Sequence, residues 1–209
     1  MVQTLKAGEV TLGDLAQNFG LVITHDRQFF SEWTQASIEV TEEEIRLLER
    51  VRSNYENLIT FPPVSEEAVK MVVLSPLLDL AGFYQAPFRI KTEVGTQISS
   101  LDEDGTVVTG QIDVLVISEL LWVVVVESKM SRFSLTAALP QILSYMLASP
   151  HSECFGLIAN GSEFVFVKLI REGTPTYSLS RVFSLLTPGN ELVDVVRILK
   201  HLGQTVIGR

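Results

Sequence analysis

Three charged residues in the middle of the chain have the types and the spacing that metal-assisted chemistry needs. Asp113 lies in an apolar segment that predicts a strand, and Glu127-Ser-Lys129 ends the next such segment. Glu127 and Lys129 are two residues apart, so on a strand both point to one face. If a hairpin centred on Leu120 joins the strands, Asp113 stands directly opposite Glu127, with Cβ atoms about 4.5–5.5 Å apart. Two carboxylates at that distance need a cation to offset their charge, and Mg²⁺ favours such oxygen ligands.

A second polar pair follows on the next predicted helix. Gln141 and Tyr145 are four residues apart, and on a helix they share a face. Such a pair would form a polar edge near the carboxylates that orients a lysine, a water or a phosphate. Each set of residues also has a purely structural interpretation. The charged residues could form a structural salt bridge at a strand end, and Gln141 and Tyr145 could lie on a half-exposed helix flank.

Taken in order, these residues resemble the PD-(D/E)XK nuclease superfamily. The core pattern of that superfamily is an acid on one strand and Glu-x-Lys on the next, which here is Asp113 followed by Glu127-Ser-Lys129. RecB-type nucleases and the N-terminal nuclease region of type I restriction R subunits add Gln-x-x-x-Tyr, which here is Gln141-Ile-Leu-Ser-Tyr145. The residue before Asp113 is isoleucine where some members have proline.

The resemblance extends to the helix that precedes the sheet, and it covers roughly residues 66–170. In the R-subunit group this helix often supplies a further acid. Glu66 and Glu67 are the two candidates, and Glu66 is preferred because it shares a helix face with the apolar residues Val69, Val73 and Leu77.

The resemblance implies a restriction-endonuclease-like fold, a mixed β-sheet with an αβββαβ core flanked by helices. It also implies hydrolysis of phosphodiester bonds in nucleic acid, expected to be DNA, with Mg²⁺ or Mn²⁺ as cofactor. Asp113 and Glu127 would hold the metal, with the Ser128 carbonyl as a further ligand. Lys129 would then orient the attacking water.

The elements around these residues predict two regions. Thr41 and Glu44 form a capping box that begins a helix, and Phe61-Pro-Pro63 ends it. Residues 1–62 are therefore expected to be a helical extension, and residues 63–209 to be the nuclease-like domain.

Within the second region, apolar periodicity predicts a helix, three strands, a helix, two strands and a helix, an order typical of a mixed α/β domain. The first helix begins at Ser65 and contains Pro76, which predicts a kink or an early end. The remaining predicted segments are 88–98, 106–117 and 121–129 (strands), 133–148 (helix), 155–159 and 164–170 (strands around Asn160-Gly161), and 191–202 (helix).

Composition limits the class of protein. The chain has 209 residues, 46% of them hydrophobic, so one main domain is expected to fold without disulfides or a structural metal ion. Three scattered histidines and the single Cys154 argue against a zinc site and against disulfides. No apolar stretch has the length of a signal peptide or a membrane span, so a cytoplasmic protein without membrane contact is expected.

The net charge of −9 favours a rival function. Binding to nucleic acid depends on Lys and Arg neutralising phosphates, and the chain has no basic run. Under this rival function the domain would be a catalytically silent module for protein–protein or nucleic-acid complex assembly. It would act as a homodimer or with an accessory protein subunit. A local basic rim would restore the nuclease hypothesis, and its candidate members are Lys70, Arg89, Lys91, Lys129, Arg132 and Lys168.

Overall fold

One sheet of nine strands forms the centre of the protein, and helices pack on both of its faces. The structure is a computed structural model, and it describes residues 3–99, 106–118, 121–127 and 135–207. The strands are Gln3–Lys6 (β1), Val22–Ile23 (β2), Arg89–Ser99 (β3), Thr106–Ser118 (β4), Leu121–Glu127 (β5), Glu153–Ala159 (β6), Glu163–Ile170 (β7), Thr176–Leu179 (β8) and Phe183–Ser184 (β9). The α-helices are Leu12–Phe19 (α1), Glu32–Gln35 (α2), Glu42–Thr60 (α3), Glu66–Val69 (α4), Ser75–Leu80 (α5), Leu135–Leu147 (α6) and Leu192–Ile207 (α7).

The sheet is mixed, which confirms the predicted α/β class. The strand order is β1-β4-β5-β6-β7-β8-β2, with β3 paired to β4 and β9 paired to β7. β3, β4 and β5 are antiparallel neighbours, and β5 and β6 are parallel. Parallel strands need a crossover connection, and α6 supplies it between β5 and β6.

Local sequence signals set the limits of the long helices. Thr41 begins α3 with a capping box, in which its hydroxyl accepts from the Glu44 backbone and the Glu44 carboxylate accepts from the Thr41 backbone. Thr11 and Asp14 form the same device at α1, and Gly20, with φ of +67°, ends that helix. The helix start predicted at Thr41 is confirmed.

The helix after Ser65 changes its type along its length. The Ser65 hydroxyl accepts from the Ala68 backbone and caps α4, and a π-helical turn, Lys70–Leu74, then leads into α5. Pro76 lies in the first turn of α5, where its missing N–H costs least. The disturbance predicted at Pro76 therefore takes the form of a π-helical turn that ends just before it.

The two faces of the sheet have separate cores. On one face α3, the π-helical turn, α5 and α7 cover Phe155, Leu157 and Phe166, and we call this the α5-side core. On the other face α6 and α1 cover Ile158 and Val167, and we call this the α6-side core. Cys154 is buried in the α6-side core, as expected for a strand residue.

The N-terminal segment contains two strands as well as the predicted helices. β1 pairs in parallel with β4, and β2 pairs in parallel with β8. α3 ends at Thr60, as predicted, and it buries Leu48, Val51 and Tyr55 in the α5-side core. The expectation of a purely helical extension is wrong in this respect, because β1 and β2, at four and two residues, are too short to show alternation in the sequence. Within the described ranges, no helix is both long and apolar enough to cross a membrane.

Candidate functional site

The strand that carries Asp113 has two successive neighbours along one edge. β1 pairs with β4 from Gln3–Thr106 to Lys6–Thr109, and β5 pairs with it from Ser118–Leu121 to Val114–Val125. Since β1 is parallel and β5 antiparallel to β4, the two strands run toward each other. Their carboxyl ends meet beside residues 110–113 of β4, which we call the strand gap. Asp113 lies in this gap, and Glu127 is the last residue of the strand that ends there.

The predicted hairpin register is wrong by one residue. Centring the hairpin on Leu120 would pair Ser118 with Trp122, whereas Ser118 pairs with Leu121. Asp113 is therefore not directly opposite Glu127 in the register of the β4–β5 pairs. In a regular strand, a slip of one residue exchanges the two faces of the sheet.

The strand next to Asp113, β3, is not regular, however. Ile90 packs against the α5-side core, whereas Val94 of the same strand packs against the α6-side core. Glu93, which lies between them, has φ of +53°, a left-handed conformation that costs a non-glycine residue about 1–2 kcal/mol. The register of β3 and β4 runs from Thr92–Val114 to Val94–Ile112, which places Asp113 across from Glu93. β3 therefore exchanges faces between Ile90 and Val94, next to Asp113 of β4, and such irregularities are over-represented next to active sites.

The remaining parts of the predicted charged site lie outside the described residues. These are the side chains of Asp113 and Glu127 and the whole of Ser128 and Lys129. Their roles stay predictions. Among the side chains that are described, no three His, Cys, Asp or Glu residues are grouped in a way that could hold a metal ion.

Gln141 and Tyr145 of α6 lie at the strand gap. Gln141 Nε2 donates to the Tyr145 hydroxyl at 2.8 Å, and Tyr145 is only 2% exposed. A Cβ atom on Gly110 would come within 2.6 Å of Tyr145 Cε1 and within 2.5 Å of Ala7 Cβ. The tyrosine ring thus packs against the first residue of the gap, where only glycine fits. The shared helix face is confirmed, with Tyr145 buried and Gln141 partly buried.

The helix with the predicted further acid reaches the same end of the sheet. Glu127 pairs with Ala159 of β6, and Ala159 lines a small pocket together with Val69 and Lys70. Glu66 begins the helical turn that precedes Lys70. Glu66 is partly buried and Glu67 is exposed, as expected if Glu66 is the acid on the sheet side.

Sequence reasoning missed Lys6. This exposed residue is the last residue of β1. It therefore lies at one end of the strand gap, and β5 lies at the other end. It belongs to the segment that was expected to be a helical extension. A four-residue strand carries no periodic signal by which its position could have been found.

Lys168 does not belong to a basic rim. Lys168 is 6% exposed, and its ammonium is paired with Glu32 and, at 2.9 Å, with Glu153. It lies across from Phe155, at the opposite end of β6 from Ala159. Its role is structural, whereas Arg89 and Lys91 are exposed, as a rim requires.

Comparison with known proteins leaves the family open. No family model matches the chain, and no curated protein matches it. Among solved structures, a protein described as "Crystal structure of SSO0001" is 14% identical over 89% of this chain and 87% of that one. The TM-score of that match is 0.27, so it supports no argument about fold or function.

Proposed function

We propose that the protein is a metal-dependent nuclease that hydrolyses phosphodiester bonds at the strand gap. The observation that carries the proposal is the convergence of β4, β5 and α6 there. Asp113 lies in the gap, Glu127 ends β5 beside it, and Tyr145 packs against its first residue. Carboxyl ends of strands are a common place for ligands to bind in α/β sheets.

The order of elements supports a restriction-endonuclease-like core. α5, β3, β4, β5, α6 and β6 follow one another as a helix, three strands, a helix and a strand. This is the αβββαβ order that the resemblance implies, and the antiparallel start of the sheet agrees with it.

The donor set fits Mg²⁺ or Mn²⁺. The Asp113 and Glu127 carboxylates and the Ser128 carbonyl would hold the ion, and all three are hard oxygen donors. When bound, the ion lowers the pKa of a water ligand and stabilises negative charge on phosphoryl oxygens.

The other residues would act on the water and on the phosphate. The Lys129 ammonium would orient the attacking water and stabilise the charge that develops on the phosphoryl oxygens. The Gln141–Tyr145 pair would position Lys129 or the phosphate. The hydrogen bond from Gln141 to the Tyr145 hydroxyl holds the two side chains together beside the strand gap.

A cleavage assay tests the proposal. The full chain should nick or degrade DNA in the presence of Mg²⁺ or Mn²⁺ and lose this activity in a chelator. Glu127→Gln and Lys129→Ala should each lower the rate at least about 100-fold while the thermal unfolding midpoint stays unchanged. No metal-dependent cleavage over single- and double-stranded DNA and RNA would overturn the proposal.

The two neighbouring helix acids provide a matched control in the same assay. Glu66→Gln should lower the cleavage rate, whereas Glu67→Gln on the exposed side should leave it unchanged. The reverse pattern would assign the helix acid to Glu67.

The net charge of −9 favours a second candidate, a module that assembles protein or nucleic-acid complexes without cleaving. Several of its cations serve internal contacts, such as Lys200 with Glu44 on α3 and Arg181 with Glu191. Crystals soaked in Mn²⁺ separate the two candidates. Anomalous density bridging Asp113 and Glu127 supports the nuclease, and Lys129 paired to both carboxylates without metal supports the module.

A further inference from the structure

The outer edge of the sheet beside the strand gap carries two exposed cations, Arg89 and Lys91. Arg89 and Lys91 of β3 are exposed, and neither has an ion-pair partner among the described residues. Among the described strands β3 pairs with β4 alone, and none of them covers its other edge. Five other cations of the described residues belong to internal ion pairs. These are Arg52, Lys168, Arg181, Arg197 and Lys200.

The two cations lie on one face of β3. They alternate with Ile90 and Thr92, which line an apolar groove with Met71 on the α5 side. Arg89 and Lys91 therefore point to the other face, the one on which α6 packs. They are two residues apart, or about 7 Å at the strand rise of about 3.4 Å per residue. The only acid of β3, Glu93, follows at the place where the strand exchanges its faces.

The register places this pair close to the strand gap. Lys91 pairs with Leu115 and Arg89 pairs with Ile117, two and four residues beyond Asp113 on β4. A nucleic-acid strand held at Asp113 and running along β3 would pass its phosphates over both cations. The exposed edge also offers backbone N–H groups, which commonly bind phosphate oxygens.

We propose that Arg89 and Lys91 form a phosphate-binding site for the backbone of the nucleic-acid substrate, next to the bond to be cut. This inference rests on the proposed function. It names the ligand chemistry as a polyanionic backbone bound without regard to base sequence, since the two cations reach phosphates and not base edges. It also explains how a chain with a net charge of −9 binds a polyanion through a local field.

Binding without cleavage tests the site. The probes are fluorescent 20-base-pair DNA duplexes of two unrelated sequences, in chelator so that no cutting occurs. The double variant Arg89→Gln/Lys91→Gln should bind about tenfold more weakly at low salt than wild type. Its slope of log affinity against log salt should be shallower by about 2, one for each lost phosphate contact. The exchange Arg89→Lys/Lys91→Arg should restore most of both quantities, and both duplexes should respond alike.

A second charge-removing pair controls for the change in net charge. Arg46 and Arg50 are exposed on α3, on the other side of the sheet, and Arg46→Gln/Arg50→Gln removes the same charge there. The control pair should leave affinity and salt slope unchanged. Equal losses in both pairs, or wild-type binding by the β3 double variant, would overturn the inference.

The outcome for this site is separate from that for the proposed function. If wild type cleaves with Mg²⁺ while the β3 double variant binds normally, the nuclease proposal stands and the phosphate site fails. If wild type binds through Arg89 and Lys91 but never cleaves, the phosphate site stands and the nuclease proposal fails.

Discussion

Tyr145 is held in place by contacts on two elements. Its hydroxyl accepts from Gln141 within α6, and its ring packs against Gly110 of β4. Ala7, which follows β1, lies on the same side of Gly110. Tyr145 and Ala7 therefore pack together against β4 beside the strand gap, and Gly110 is the position where this packing is tight.

Gly110→Ala should destabilise the protein by about 1–3 kcal/mol. The new methyl group would overlap Ala7 and Tyr145, and overpacking of this kind forces the backbone or the ring to move. Urea denaturation measures the loss in the free energy of unfolding.

Gly95→Ala is the matched control for Gly110→Ala. Gly95 lies on the neighbouring strand, across from Gln111, and a Cβ atom there meets no atom of the described part of the chain within 4 Å. This variant should be neutral or more stable by up to about 1 kcal/mol, since glycine is poorly suited to strand interiors. Equal effects of the two alanines would contradict the packing described for Tyr145.

Cys154 should not react with iodoacetamide at neutral pH while the protein is folded. Burial raises the pKa of its thiol to about 12, and the nearby Arg171 charge lowers it too little to compensate. The thiolate is the reactive form, so almost none is present at neutral pH. Mass spectrometry should find the alkylated residue only after denaturant is added, and rapid labelling of the native protein would show that Cys154 is accessible.

The pairing of residues within one helix was predictable from the sequence, whereas the pairing between strands was not. The Gln141–Tyr145 pair follows from helical spacing, and the structure has it at the strand gap. The hairpin register does not follow from the apolar pattern, because a run of valines gives no sign of which residues pair. The exchange of faces at Glu93 depends on contacts with two different cores, which the local sequence does not contain.

Helices α3 and α7 are joined across the α5-side core by one ion pair. Lys200 of α7 donates to the Glu44 carboxylate, which also accepts from the Thr41 backbone in the capping box. Burial raises the pKa of the Glu44 carboxyl, but the hydrogen bonds from Lys200 and Thr41 outweigh it, so the pKa lies below its ordinary value. The capping box could be predicted from the sequence, whereas the pairing of Glu44 with Lys200, 156 residues away, could not.

Lys200→Gln should lower the free energy of unfolding by about 1 kcal/mol at neutral pH. Because the folded-state pKa of Glu44 is lowered, its contribution is present above the unfolded value of about 4.3 and is lost as the pH falls through the folded value. The difference between wild type and variant should therefore shrink in acid, as urea denaturation at several pH values would measure.

Arg52→Gln provides the comparison on the same helix. The Arg52–Glu56 pair is more exposed, so its loss should cost less than about 0.5 kcal/mol. A cost equal to that of Lys200→Gln would mean that the α3–α7 pair adds nothing beyond an ordinary surface contact.

The N-terminal 62 residues are built into the sheet and into both cores. β1 and β2 pair with strands of the C-terminal region, Leu15 is buried in the α6-side core, and α3 covers the α5-side core. The capping box at Thr41 predicted α3 correctly, but it could not reveal where this helix docks. The predicted boundary at residues 62–63 coincides with the end of α3, and whether it separates two folding units stays a prediction.

A fragment of residues 63–209 tests that boundary and is expected not to fold cooperatively. Removing the burial of Leu48, Val51 and Tyr55 alone withdraws about 5–9 kcal/mol, which is comparable to the whole stability of a typical domain. Circular dichroism during urea denaturation measures this. A cooperative transition in the fragment would establish residues 63–209 as a domain.

The left-handed conformation of Glu93 also makes β3 a poorer template for aggregation. An open strand of eleven residues is a template on which chains can stack into fibrils. Glu93 breaks the regular backbone near the middle of that template, and the charges of Arg89 and Lys91 repel an identical neighbour. The break at Glu93 and the two positive charges therefore oppose edge-to-edge pairing of β3 with the same strand of another copy.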